Sequence, residues 1–208
     1  MISAILLAAG ESSRMEGAFK PLLKWGKRTV IGACVDSLNK SKVCEIIVVL
    51  GHREQEVRSF LAGSGVQYAI NPDYRQGMLS SIKTGFAQLS SRPDTVLIAL
   101  VDQPMVTSDI IDQLIDAYEK GGKKIVVPVS HGRHGHPIII SREFEGEIML
   151  LDDASPEGLR AVVNSHRDEI LEVPVISTAV IEDIDRPGDY ERLSQKVEPI
   201  YEYHRWHP

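Results

Sequence analysis

Residues 2–23 read ISAILLAAGESSRMEGAFKPLL, and this stretch decides the fold. Ile2 to Ala8 is an unbroken apolar run. A strand of that kind is buried on both faces, which implies a parallel sheet with helices on each side. A loop follows at once. Gly10 permits a tight turn and lets backbone amides face a ligand. Ser12 and Ser13 supply hydroxyls, and Arg14 and Lys20 place two cations on the same loop. The arginine fork suits paired phosphate oxygens, while lysine acts as a compact charge. On spacing alone, a solvated crossover loop is an equal reading. The loop's two glycines, Gly10 and Gly17, do not make the three-glycine G-x-G-x-x-G fingerprint, which disfavours a nicotinamide or flavin site.

Outward from this stretch, strands and helices alternate. Val30, Ile31, Cys34, Val35 and Leu38 recur at helical spacing, and Ile46 to Leu50 is a second buried strand. A helix follows with Val57, Phe60 and Leu61 on one side, then a short strand from Val66 to Ile70. Leu79, Ile82, Phe86 and Leu89 mark one face of the next helix. Val96 to Val101 is the most hydrophobic segment, and Asp102 stops it. Thr107 is the expected N-cap of a helix striped by Ile110, Ile111, Leu114, Ile115 and Tyr118. Further strands are expected at Ile125–Val127, Ile138–Ile140, Val173–Ile176 and Ala179–Ile181, with helices near 143–150, 157–165 and 187–195. The pattern predicts a three-layer α/β/α, Rossmann-like fold with a mostly parallel sheet. Residues 1–197 are expected to form a single domain, and residues 198–208 a tail or docking arm.

The chain has 208 residues, 43% of them hydrophobic, which suits one sizeable core. Its net charge of −6 argues against a protein that wraps nucleic acid. The two cysteines, Cys34 and Cys44, have no metal-ligand spacing and fit a reducing compartment. The first strand has no charged leader before it, and no apolar stretch reaches membrane-spanning length. A cytoplasmic protein without membrane or nucleic-acid partners is expected.

Ligands on such sheets sit beyond the carboxyl ends of the strands, so the loop after Ala8 and Asp102 matter most. Mg²⁺ takes one or two carboxylates together with phosphate oxygens. Asp102, in LIALVDQPMV, is one candidate; Asp183, Asp185 and Asp189, in EDIDRPGDY, are the others. In NPDYRQGMLSSIKTG, residues Gly77, Ser80 and Ser81 fall at a helix N-terminus, where free amides favour anions. Plain N-capping by either serine is the alternative. SHGRHGHPIII carries His131, His134 and His136, but strand alternation scatters the rings and disfavours zinc.

Leu7-Ala8-Ala9-Gly10, Ser13-Arg14-Met15, Gly17 and Lys20 resemble the signature of the MobA-like NTP transferase family, of the molybdenum cofactor cytidylyltransferase type. VDQP and the Gly77–Ser81 run extend the resemblance over most of residues 2–195, including Gly85 as the run's later glycine. It implies the nucleotidyltransferase fold shared with nucleotide-diphospho-sugar transferases. It also implies transfer of a nucleoside monophosphate to a phosphorylated acceptor such as molybdopterin, with pyrophosphate released. Leu-Ala-Ala-Gly and Trp25 resemble the cytidylyl branch, which favours CTP, and Mg²⁺ is the implied cofactor. Carried over residue by residue, the catalytic groups are Lys20, Arg14 and Asp102, and the metal ligands are Asp102 and Asp185. The nucleotide site takes Leu7, Ala8, Ala9, Gly10, Ser12, Ser13, Arg14, Lys20, Asn71, Gly77, Ser80, Ser81 and Asp102. The acceptor side takes Gln103, Pro104, Gly135, His136 and Pro137. Glu16 stands where the family usually has glycine, and the 152–160 loop is longer than the family's. Two alternatives stay open: a related transferase with another phosphorylated acceptor, and a non-catalytic cofactor- or nucleotide-binding maturation partner of a molybdoenzyme.

Overall fold

The computed structural model describes residues 1–90 and 93–197. The expectation for a tail at 198–208 lies outside the described residues. Strand β1 (Ile2–Ala8) is buried along its whole length, as its apolar run requires. It is followed by a small hairpin, β2 (Lys24–Trp25) and β3 (Arg28–Thr29), then helix α1 (Val30–Asn39). Next come β4 (Glu45–Leu50), α2 (Glu54–Phe60), β5 (Gln67–Ile70), α3 (Met78–Gln88) and β6 (Thr95–Leu100). Helix α4 (Ser108–Gly121) leads to β7 (Ile125–Ser130), β8 (Arg133–His134) and β9 (Ile138–Ser141). The chain continues through α5 (Glu145–Leu150), α6 (Arg160–Ser165), β10 (Ile170–Pro174) and α7 (Pro187–Ser194).

The main sheet runs β10-β7-β9-β6-β1-β4-β5, with β8 paired to β7. β1 lies parallel to both β4 and β6, β4 to β5, and β7 to β10. β9 is antiparallel to its two neighbours. Apolar side chains of β1 alternate between two cores. Ala4, Leu6 and Ala8 pack with α1 and α4, whereas Ile5 and Leu7 pack with α3. Gly85 lets α3 press onto β1, since a Cβ there would fall 2.6 Å from Ile5. Its part in the Gly77–Gly85 run is therefore packing. Thr107 caps α4 by accepting from the Ile110 N–H.

Three expectations change. Ala179–Ile181 is not a strand: Thr178–Val180 is a 3₁₀ turn, capped by Ser177. Its apolar residues are buried, but the Val180 carbonyl accepts from the His136 N–H and from Gln103 Nε2 instead of a ladder partner. The last strand is Ile170–Pro174, shifted from Val173–Ile176, and Ile176 is fully exposed. Phe60 is exposed, while Val57 and Leu61 alone bury that side of α2. Among the described residues, no helix is long and apolar enough to cross a membrane.

Candidate active site

The parallel strands β1, β4 and β6 all end at one edge of the sheet. Val101 N–H donates to the Leu7 carbonyl at 3.1 Å, so Asp102 emerges beside the loop that leaves β1. A cleft of about 240 Å³ opens there. Leu7, Ala9, Gly10, Ser12, Lys20, Tyr74, Gly77, Met78, Ser81 and Asp102 are among its lining residues. Two distant stretches thus meet at the amino end of α3, where unpaired backbone N–H groups favour an anion.

The first loop is held in shape by its own residues. Ser12 and Glu16 adopt left-handed backbone, with φ of 57° and 51°, and Gly17 has φ of 90°. The Ser12 hydroxyl accepts from the Lys20 N–H at 3.0 Å. Met15 is buried with Trp25, Val30, Ile184 and Leu193 in a satellite core. Trp25 packs near Tyr190, whose hydroxyl donates to the Lys24 carbonyl. The loop's middle is therefore nailed down, while the largely exposed Arg14 reaches across to Asp185. Glu16 explains the departure noted in its sequence: a residue other than glycine occupies a backbone position where glycine carries no steric cost.

Lys20 is 9% exposed and carries the charge at the base of the cleft. Its Nζ lies 3.3 Å from Asp102 Oδ2 and 3.5 Å from Asp185 Oδ1. Asp185 in turn is gripped by Arg14 through both oxygens, at 3.0 and 2.9 Å. Asp185 arrives there because the Ile184 N–H donates to the Asp102 carbonyl at 2.9 Å. Asp189 Oδ2 then accepts from the Arg186 and Asp185 N–H groups, which fixes the turn into α7. Burial pushes the Asp102 carboxyl up from its ordinary range; the Lys20 charge opposes this, and Asp183 and Asp185 add to it. Asp102 Oδ1 is buried and has no hydrogen-bond partner among the described residues. A buried carboxylate oxygen without a donor is costly unless a further cation serves it.

Not every sequence-predicted residue faces the cleft. Asn71 is buried; its Nδ2 donates to Ser80 Oγ and Ser81 Oγ, and its Oδ1 accepts from the Asp73 N–H. Ser80 Oγ donates back to the Gly77 carbonyl at 2.8 Å. Asn71 and Ser80 thus brace the entry to α3, and Ser81 reaches the lining. Ala8 is turned into the opposite core, and Ser13 is exposed. Of the residues expected on an acceptor side, Gln103, Pro104, Gly135 and Pro137 are buried, and His136 is partly exposed. Gln103 Nε2 donates to Asp183 Oδ1 at 2.7 Å. Gly135 is required by contact, because a Cβ would fall 2.0 Å from the Val180 carbonyl oxygen. Burial pushes the His136 imidazole below its ordinary value; Asp183 opposes that shift and Arg160 reinforces it.

His134 Nε2 sits 2.6 Å from Glu172, and His131 Nδ1 sits 3.1 Å from Ser130 Oγ, so these rings serve separate partners. Among the described residues, no three His, Cys, Asp or Glu side chains form a metal cage. Asp102 and Asp185 offer two carboxylates across one ammonium, which suits a cation that takes its other ligands from phosphate. Two groups escaped the sequence reading. Glu182 accepts from Arg192, Lys196 and Thr178 and ties α7 to the segment that carries Asp185. Lys83 reaches from α3 to residues 151 and 153.

The molybdenum cofactor cytidylyltransferase of Escherichia coli (strain K12) is 28% identical over 201 residues, covering 96% of this chain and 98% of that protein. Rv0371c from Mycobacterium tuberculosis H37Rv, at 29% identity, superposes with a TM-score of 0.83 over 93% of this chain and 97% of its own. Its manganese complex superposes at 0.79. A nucleotidyl transferase from Methanothermobacter thermautotroptrophicus, at 25% identity, superposes at 0.82 over 95% of this chain and 97% of its own. The family model described as MobA-like NTP transferase domain matches residues 4–170, and the chain therefore belongs to the MobA-like NTP transferase family.

Proposed function

We propose that this chain transfers CMP from CTP to a phosphorylated acceptor of molybdopterin type and releases pyrophosphate. The observation that carries the reading is the Lys20 ammonium shared by Asp102 and Asp185 at the base of the cleft. The likeness to a molybdenum cofactor cytidylyltransferase supports the choice of nucleotide and acceptor.

An acceptor phosphate is already ionised at neutral pH and needs no protein base. One of its oxygens attacks the α-phosphorus of the nucleotide. The bond from that phosphorus to the bridging oxygen breaks, and pyrophosphate leaves with the electron pair. The protein's task is positioning and neutralising charge. Lys20 stabilises charge on the α-phosphoryl oxygens, and Arg14 with the loop amides holds the departing pyrophosphate. In the structure these two cations neutralise Asp102 and Asp185. Binding a triphosphate draws them toward phosphate and leaves both carboxylates free.

Asp102 and Asp185 would hold a divalent cation, Mg²⁺ in this reading, which when bound screens and orients phosphate oxygens. The unpartnered Asp102 Oδ1 fits that role, and a relative's manganese complex supports a divalent ion. Ser81 and the first amides of α3 orient the nucleotide from the far wall.

The test is a panel of CTP, GTP, UTP and ATP with Mg²⁺, read by melting temperature and by pyrophosphate release with molybdopterin. A ligand that binds only the folded state raises its melting temperature. CTP should give the largest shift and acceptor-dependent release, and Lys20→Ala should abolish the release. Nucleotide or cofactor binding without release under any pairing would overturn turnover in favour of a maturation protein.

A further inference from the structure

Helix α3 forms one wall of the cleft through Gly77, Met78 and Ser81. Lys83 stands on the same helix but does not line the cleft. Its Nζ donates to the Leu151 carbonyl at 2.6 Å and pairs with Asp153 Oδ1 at 2.7 Å. The two side chains are 16% and 29% exposed, and Asp153 Oδ1 is sealed from solvent and accepts no hydrogen bond among the described residues, so its tie to Lys83 is one of charge. A sealed carboxylate oxygen needs a cation beside it, and Lys83 is that cation.

The same segment touches α3 again. A Cβ on Gly77 would lie 3.3 Å from the Asp153 carbonyl oxygen. Residues 151–153 are therefore bonded to the helix through Lys83 and pass close to Gly77, which belongs to the cleft wall. The other bonds of the following loop are internal. Ser155 N–H donates to the Asp152 carbonyl, Ala154 N–H to Asp152 Oδ1, and Gly158 N–H to the Ser155 carbonyl. Leu151 and Leu159, at the two ends of the loop, also pack against the core that α3 covers, so apolar contact and the Lys83 tie place the loop together. The loop runs directly into α6, whose Val162 is buried in one core with Leu79 and Ile82 of α3 and with Ile138, two residues beyond His136. Lys83 adds a charged tie to this packing, at the end of the loop that starts beside the cleft wall.

We infer that Lys83 is a positioning residue that clamps segment Leu151–Asp153 to the nucleotide helix, so that the acceptor wall is set relative to the bound nucleotide. The word acceptor rests on the function proposed above; the clamp does not.

The test uses the full chain with Lys83→Met and Lys83→Arg. Amide hydrogen exchange at 151–158 should speed up about tenfold or more in Lys83→Met, with β1 unchanged, and Lys83→Arg should restore most of the protection. CTP with Mg²⁺ should slow exchange at 151–158 further in the wild type and not in Lys83→Met. Acceptor KM should rise about tenfold, with kcat and the KM for CTP within twofold. Unchanged exchange at 151–158 in Lys83→Met, or equal acceleration in β1, would overturn the clamp. A fall in kcat with acceptor KM unmoved would overturn the positioning role. If no nucleotide binds, the proposed function fails, and the nucleotide-free exchange result still decides the clamp.

Discussion

Glu182 and Asp102 are two partly covered acids on either side of the same hydrogen-bonded junction, and they are served in opposite ways. Burial alone would raise Glu182, but Lys196, Thr178 and Arg192 overcome it and hold its carboxyl down at about 2. Burial raises Asp102, and Lys20 does not cancel it. One acid has two cations and a hydroxyl; the other keeps an oxygen with no partner. The saturated acid holds structure together. The unsaturated one is kept at a cost that folding alone does not explain, which is the mark of a group placed for a ligand.

The largest expected effects break this contrast at the cleft. Lys20→Ala or Asp102→Asn should lower the rate of pyrophosphate release by roughly 10²- to 10³-fold. Stability should move the other way for Asp102→Asn. An acid whose folded pKa is raised weakens the fold at every pH above that pKa and is relieved as pH falls through it. Its replacement should leave the urea midpoint at pH 7 unchanged or higher. A variant that loses activity because it unfolds would erase the distinction.

Glu182→Gln should do the reverse. A carboxyl depressed from 4.5 to about 2 contributes stability that is complete above 4.5 and lost as pH falls toward 2. Allowing for its partial exposure, removing it should cost roughly 2–3 kcal/mol at pH 7 and little at pH 2. Urea unfolding at the two pH values measures this. An equal cost at both would mean that packing, not charge, accounts for the residue.

The same contrast explains what the chain's sequence could disclose. The buried run of β1, the loop behind it and Asp102 at the end of β6 were legible because strand ends and loop chemistry are local. The partnership of Asp185 with Asp102 was visible only through the family resemblance, since the Ile184-to-Asp102 backbone bond joins distant stretches. Asn71, Ser80 and Gln103 mark the limit of polarity as a signal. A polar residue beside a motif can face the ligand or brace the chain, and these are buried as braces. The apolar letters at 179–181 correctly signalled burial and wrongly signalled a strand, because the Val180 carbonyl is taken by His136 and Gln103. Lys83 did leave a trace. It is half-buried at the edge of the face that Leu79, Ile82 and Phe86 bury, and a lysine at such a position calls for a partner.

His136 extends the comparison to a base. Burial outweighs the opposing pull of Asp183 and keeps its imidazole below 6.5. Between 6.5 and that lowered value the unfolded chain binds the proton and the folded chain refuses it. Stability therefore falls as pH drops through this window, by about 1.4 kcal/mol per pH unit at most. His136→Gln should flatten the profile there. A profile as steep as the wild type's would assign the acid sensitivity to another group.

The smallest effect is expected in the first loop, where the backbone itself carries strain. Glu16 is exposed and has φ of 51°, and no hydrogen bond among the described residues rewards the side chain for that conformation. Left-handed backbone costs a side-chain-bearing residue about 1–2 kcal/mol, and glycine avoids it at the expense of about 0.5–1 kcal/mol in unfolded-chain entropy. Glu16→Gly should thus stabilise the chain by about 0.5–1 kcal/mol in urea unfolding. Nucleotide affinity should hardly change, because Met15 and the Ser12-to-Lys20 bond fix the loop on either side of residue 16. If affinity drops several-fold instead, the strained glutamate belongs with Asp102, as a conformation held for the ligand, and not with the passive scaffold of the loop.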